Sequence, residues 1–184
     1  MFAYHRRKAR PDGGAGDFLG SRSAALTAVF ALVLAVVGVA PLSAFAQSCR
    51  PDSLEVRLTG GGVARFNIEL ADTPQTRSRG LMFREKMATA AGMLFIYERP
   101  QRAVFWMKNT LIPLDMIFAD PTGLVTQVHA NAIPHDETGI DGGEGVLAVL
   151  EINGGLAKRM GITQGAVLRH PAFAQNGAVW PCAK

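Results

Sequence analysis

The sequence predicts a mainly β domain of the α+β class: an antiparallel, barrel-like or sandwich core of about eight strands with two short helices. Three observations carry that reading. Short runs of Val, Ile, Leu, Phe and Met recur from Leu54 onward, each bounded by Gly, Pro, Asn or Asp. No regular strand–helix alternation runs through them, which argues against a parallel α/β sheet. Only two stretches carry the chemistry that starts a helix.

Taken in order, Leu54–Leu58 alternates apolar and polar, Gly60-Gly61-Gly62 turns, and Val63–Leu70 alternates again: a hairpin with one wet face. Asp72-Thr73-Pro74-Gln75 offers a capping side chain at Asp72, proline in the first turn and Gln three residues after Asp. A short helix to about Met82 is expected, with Arg77 and Arg79 on the surface or reaching toward a site. Three β-rich runs follow at 93–97, 103–107 and 114–118. Asp120-Pro121-Thr122-Gly123 is a turn, after which 124–130 should return antiparallel. A polar loop over 131–145 precedes Val146–Ile152, an apolar run suited to a strand buried on both faces. Gly154-Gly155 opens a second helix to Met160, and 166–170 makes the last strand.

Residues 1–46 read as a secretory signal: a basic start, an uncharged apolar run from Ala24 to Ala40, and Ala44-Phe45-Ala46 before cleavage at Gln47. The expected product is a single periplasmic or secreted domain over 47–184, monomeric and off the membrane; the alternative is an anchor over 24–40. Charge supports no polyanion partner. Five of the 19 basic and two of the 15 acidic side chains fall in the leader, leaving 14 against 13. That near-neutral balance, without a basic stripe interleaved with aromatics, argues against nucleic-acid binding. Cys49 and Cys182 stand at the two ends of the mature chain, and termini of compact domains often meet. In an oxidising compartment a Cys49–Cys182 disulfide is expected; free thiols or lipid attachment at Cys49 are the alternatives.

The segment Trp106-Met107-Lys108-Asn109-Thr110-Leu111-Ile112-Pro113-Leu114-Asp115 sets polar residues between two apolar runs. They either satisfy a turn, with Asp115 pairing Lys108 or an arginine, or gather at a recognition site. Together with Thr76–Arg84, Gly92–Phe95, Leu150–Gly155 and Gly161-Ile162, this segment resembles the domain-of-unknown-function 192 family over about Leu54 to Arg169. The resemblance implies a small, mostly β, frequently exported domain without a settled activity. It nominates Arg79, Arg84, Trp106, Lys108, Asn109, Thr110, Asp115 and Glu151 as motif positions.

Glu151 stands out physically. Between Leu150 and Ile152 it should be partly buried, and a buried carboxylate must find a cation or have its pKa raised; Lys108, Arg84 or Arg79 is the expected partner. If Asp115 and Glu151 share a cleft they could act as acid and base of a hydrolase. Six methionines, Met82, Met87, Met93, Met107, Met116 and Met160, raise cuprous ion binding as an alternative, but most lie among Leu, Ile and Phe, so gap-filling core packing is the default reading. His129, His135 and His170 lack ligand spacing, so no metal and no cofactor is expected. Gly143-Glu144-Gly145-Val146-Leu147-Ala148 mimics a dinucleotide motif but precedes a strand instead of following one. The reading is a binding or accessory domain for a small polar or anionic ligand, such as a saccharide or carboxylate.

Overall fold

Ser53–Arg57 (β1) and Val63–Ala71 (β2) pair antiparallel as their alternation requires, with buried Leu54 opposite Phe66 and buried Val56 opposite Ala64. The computed structural model to which they belong describes residues 48–174 and 176–183. The expected leader over 1–46, its cleavage before Gln47 and the alternative anchor over 24–40 lie outside the described residues. Among the described residues no helix is long and apolar enough to cross a membrane.

The first helix, Pro74–Arg79 (α1), is shorter than the sequence suggests, and its cap is Thr73 in place of Asp72. The Thr73 hydroxyl accepts from the Thr76 N–H at 3.1 Å while the Thr76 hydroxyl accepts from the Thr73 N–H at 3.0 Å. This reciprocal box satisfies two otherwise unpaired donors, so the register follows Thr73 and Thr76. Gly80, at φ 50°, ends the helix before Met82.

Ala91–Gln101 (β3) then lies parallel to β2, with Asn67 opposite Ala91 and Ala71 opposite Phe95. A parallel neighbour needs a crossover of a dozen or more residues. Here α1 and the irregular chain after it supply the crossover, so one strand–helix–strand unit sits within an otherwise antiparallel sheet. Val104–Phe105 (β4) leaves that sheet and pairs with Ile140–Asp141 (β7), a strand inside the expected loop. Leu114–Ala119 (β5), Val125–Ala132 (β6) and Val146–Asn153 (β8) follow the sequence reading closely, as do Leu156–Met160 (α2) and Val167–Arg169 (β9).

The seven-stranded sheet runs β6-β5-β8-β3-β2-β1-β9. Its two edges approach each other: Val167 bridges Leu124, the Gly123 carbonyl accepts from Leu168 at 2.7 Å and the Ala166 carbonyl from Val125 at 2.8 Å. The sheet is therefore a curled half-barrel, with the β4–β7 pair as a small second sheet. One face packs Phe66, Leu94, Ile117, Leu150, Leu168 and Phe173. The other packs Leu81, Phe95, Met107, Met116, Phe118 and Val149. Central β8 is covered on both sides, which explains its unbroken apolar run. Cys49 and Cys182 form a disulfide with their Cα atoms 5.4 Å apart.

Candidate functional site

In β8, Glu151 is flanked by Met93 of β3 and Met116 of β5, neither of which can neutralise a charge. It is 4% exposed. The expected ion pair is absent: Arg84 is held bidentate by Glu69 at 2.6 and 2.8 Å, and Lys108 lies 3.9 Å from Glu137. Arg79 makes no ion pair with Glu151 either, and no hydrogen bond reaches the carboxyl among the described residues. Burial alone pushes the Glu151 pKa up to about 8, so at neutral pH the side chain is mostly a neutral acid.

That acid faces a cavity of about 250 Å³. Arg77, Arg79, Gly80 and Leu81 form one side of it, Phe95, Tyr97, Phe105 and Trp106 the others, with Thr110 close by. Each wall has a local cause. Gly80 turns the chain out of α1 so near the Phe95 ring that a Cβ there would lie 3.0 Å from it. Phe105 is braced edge-on by Phe95 and Phe118, with centroids at 5.1 and 5.9 Å. Trp106 is half exposed at 51%, and the Lys108 ammonium covers its ring at 5.3 Å.

Arg77 locks the helix side. Its guanidinium donates to the carbonyls of Asp72 at 2.8 Å and Ile96 at 2.7 Å, pairs with Glu98 at 2.8 Å, and lies 5.4 Å from the Tyr97 ring centre. Glu98 is held below the usual carboxylate range by that hydrogen bond, and burial pushes the Tyr97 hydroxyl up. Arg79, by contrast, is exposed on the rim.

Of the residues nominated by sequence, the cavity gathers Arg79, Trp106, Thr110 and Glu151, with Lys108 on the outer side of the tryptophan. Arg84 and Asn109 do not line it. Asn109, at φ 54°, shapes the turn: its carbonyl accepts from the Phe83 N–H at 2.8 Å. Asp115 also belongs elsewhere. Fully buried, it accepts from the backbone N–H groups of Asn131 at 2.6 Å, Gly155 at 2.7 Å and Ala157 at 2.6 Å, in place of the expected cation. A strand carboxylate thus caps α2, whose own Gly155 has no side chain to do so.

Because Asp115 is opposite Ile152 while Met116 is opposite Glu151, the two carboxyls project from opposite faces of the sheet. They share no cleft, and the paired acid–base arrangement of the hydrolase reading is not formed. Of the six methionines, Met93, Met107 and Met116 are buried among the aromatic and aliphatic side chains of one core, as core packing requires. Among the described residues no three His, Cys, Asp or Glu side chains gather as a metal site.

Sequence reasoning missed the aromatic contribution of Phe95, Tyr97 and Phe105. The only signal was their density around Trp106, which is the pattern of a buried strand as much as of a pocket.

The profile of the domain-of-unknown-function 192 family, described as an uncharacterized ACR, matches residues 56–170, which include every cavity-lining residue. The chain belongs to that family. Two proteins of known structure share its fold. One from Novosphingobium aromaticivorans DSM 12444, of unknown function, is 45% identical, with 63% of this chain covering 82% of that one at a TM-score of 0.61. Another, from Sinorhizobium meliloti 1021 and described as a candidate transcription regulator, is 40% identical, with 66% of this chain covering 94% of that one at a TM-score of 0.63. No curated protein matches the chain.

Proposed function

We propose that this domain-192 chain is an exported small-ligand-binding domain, and that its ligand, polar or anionic, occupies the cavity over Glu151. The observation that carries the reading is the acid itself. A carboxyl group withdrawn from bulk water with no hydrogen bond from the described residues favours a ligand that supplies the contact, and this one opens onto a hollow with aromatic walls and a cationic rim. Small-molecule sites have that composition: mostly apolar walls and a few convergent polar groups. Export is supported by the leader pattern over 1–46 and by the Cys49–Cys182 bridge, which suits an oxidising compartment. A regulator that grips DNA is a poorer fit, since 14 basic side chains face 13 acidic ones beyond the leader.

The chain has two tryptophans, and Trp180 lies elsewhere, stacked by Arg169 at 4.4 Å. In a Trp180→Phe variant the emission therefore reports on Trp106. Titrating it with a panel of small saccharides and carboxylates should give a saturable change from at least one compound, together with a rise in Tm. Tight binding that leaves Trp106 emission untouched, or a panel without effect on either signal, would overturn the reading.

A further inference from the structure

The chemistry lining the cavity narrows the ligand to one class, on the footing that the cavity is the binding site. Glu151 sits between two thioether side chains, and among the described residues no acceptor takes a hydrogen bond from it and no cation pairs with it. Arg77 has its donors committed to two carbonyls and Glu98. Arg79, on the same helix, is uncommitted at the rim. Four aromatic rings supply flat apolar faces beside these two polar groups.

We propose that the cavity is a site for a small organic carboxylate, whose carboxylate accepts the hydrogen bond that the Glu151 acid offers and pairs with Arg79, while its apolar body stacks on the aromatic wall. A hydrogen bond from a neutral acid to a carboxylate is charge-assisted and correspondingly strong. The ligand brings the acceptor that the fold withholds. An organic ammonium would also suit aromatic rings beside a carboxylate, but it would meet two guanidiniums and a group that burial keeps uncharged. At about 250 Å³ the cavity lies below the usual range for drug-sized ligands, which restricts the body to something near a single ring or a short chain.

The site requires a proton on Glu151, so binding must weaken once that proton leaves. The other ionisable groups facing the cavity are Arg77 and Arg79 from α1 and Tyr97 from β3. Arginine stays charged throughout and the Tyr97 hydroxyl is pushed above its ordinary value near 10, so neither type changes state between pH 6.5 and 9.

Three single-ring probes of similar size separate the possibilities: benzoate, benzamide and benzylammonium, each titrated by calorimetry into the protein at pH 6.5 and pH 9. Benzoate should bind at least tenfold tighter than benzamide at pH 6.5 and lose several-fold in affinity at pH 9. Glu151→Gln, which keeps a donor and carries no charge, should bind benzoate equally at both pH values. Arg79→Gln should weaken benzoate at least tenfold and leave benzamide unchanged. Benzamide or a saccharide binding as well as benzoate would overturn the carboxylate assignment while leaving the cavity as the site, and preference for benzylammonium would overturn it too. Failure of all three probes and of every saccharide to perturb Trp106 would remove the cavity reading itself. The wild-type probe series decides the matter even if a variant does not fold.

Discussion

Two carboxylates from separate motifs of one family end in opposite circumstances, and the difference is read in their partners. Asp115 has three backbone N–H donors within 2.7 Å and serves the fold; Glu151 has none and serves nothing that the fold requires. The consequence for stability has a definite sign. The folded-state pKa of Glu151 is raised from 4.5 to about 8, so between those values the native state holds more protons than the unfolded chain. Stability must then fall as pH rises through that window, by up to about 1.4 kcal/mol per pH unit, and level off above about pH 8. Burial lowers the His170 pKa, a contribution of opposite sign that fades over about one pH unit above 6.5 as the unfolded imidazole loses its last protons, and that wild type and Glu151→Gln share. The difference between the two from pH 6.5 to 8 therefore isolates the glutamate. Urea unfolding across it should show wild-type stability declining by about 1–2 kcal/mol relative to Glu151→Gln; parallel profiles would mean that Glu151 is already ionised and paired. Sequence alone marked Glu151 as a buried oddity, because a charge inside Val149-Leu150-Glu151-Ile152 has no polar side of the strand to face. It could not say that the counter-ion was missing, since Arg84 and Lys108 found Glu69 and Glu137 through contacts distant in sequence.

At the scale of elements, α1 is a six-residue helix with no buried residue, too short to persist on its own. What fixes it is the Thr73–Thr76 capping box at one end and the Arg77 fork across β3 at the other. An ammonium group has three donors but no planar fork, and it cannot reproduce the simultaneous hold on two carbonyls and a carboxylate. Arg77→Lys should accordingly loosen the wall carrying Arg79 and Gly80. Hydrogen exchange would show it as loss of protection at the Arg77 and Gly80 amides, both bonded within the helix, with the β8 amides unchanged. Global stability should drop by only about 1 kcal/mol, the worth of a few partly exposed hydrogen bonds. Equal loss of protection in β8 would show that the helix is not a separate unit. The hairpin, the Asp120–Gly123 turn and the doubly buried β8 were legible because turn residues and side-chain periodicity are local signals. The β2–α1–β3 crossover and the β4–β7 pair were not. Parallel pairing is decided by where the chain returns, and a two-residue strand has no periodicity to read.

For the whole molecule, the question is what keeps a half-barrel shut. Its edges meet through a few contacts, Leu124 against Val167 and the neighbouring hydrogen bonds, and not through a full ladder. The segment around Val179 and Trp180 reinforces this seam. The Val179 N–H donates to the Thr122 carbonyl at 3.0 Å, in the β5–β6 turn, and the Trp180 ring lies 5.1 Å from the guanidinium of Arg57 of β1 and 4.4 Å from that of Arg169 of β9. Those contacts hold the C-terminal tail across the seam, and the Cys49–Cys182 bridge ties that tail to the chain entering β1. A loop spanning 133 residues costs the unfolded state about 4–5 kcal/mol of chain entropy in the ideal case, with residual structure and native strain reducing the gain. The Cys49→Ser/Cys182→Ser double variant should therefore lose about 2–5 kcal/mol in denaturant unfolding. The loss has a location as well as a size. If the bridge secures the seam, exchange should accelerate first at the Val179 and Leu168 amides, while the amides joining β3, β8 and β5 keep their order of protection. A uniform rise over all strands would assign the stabilisation to the unfolded chain alone, and the seam would then hold without its covalent tie.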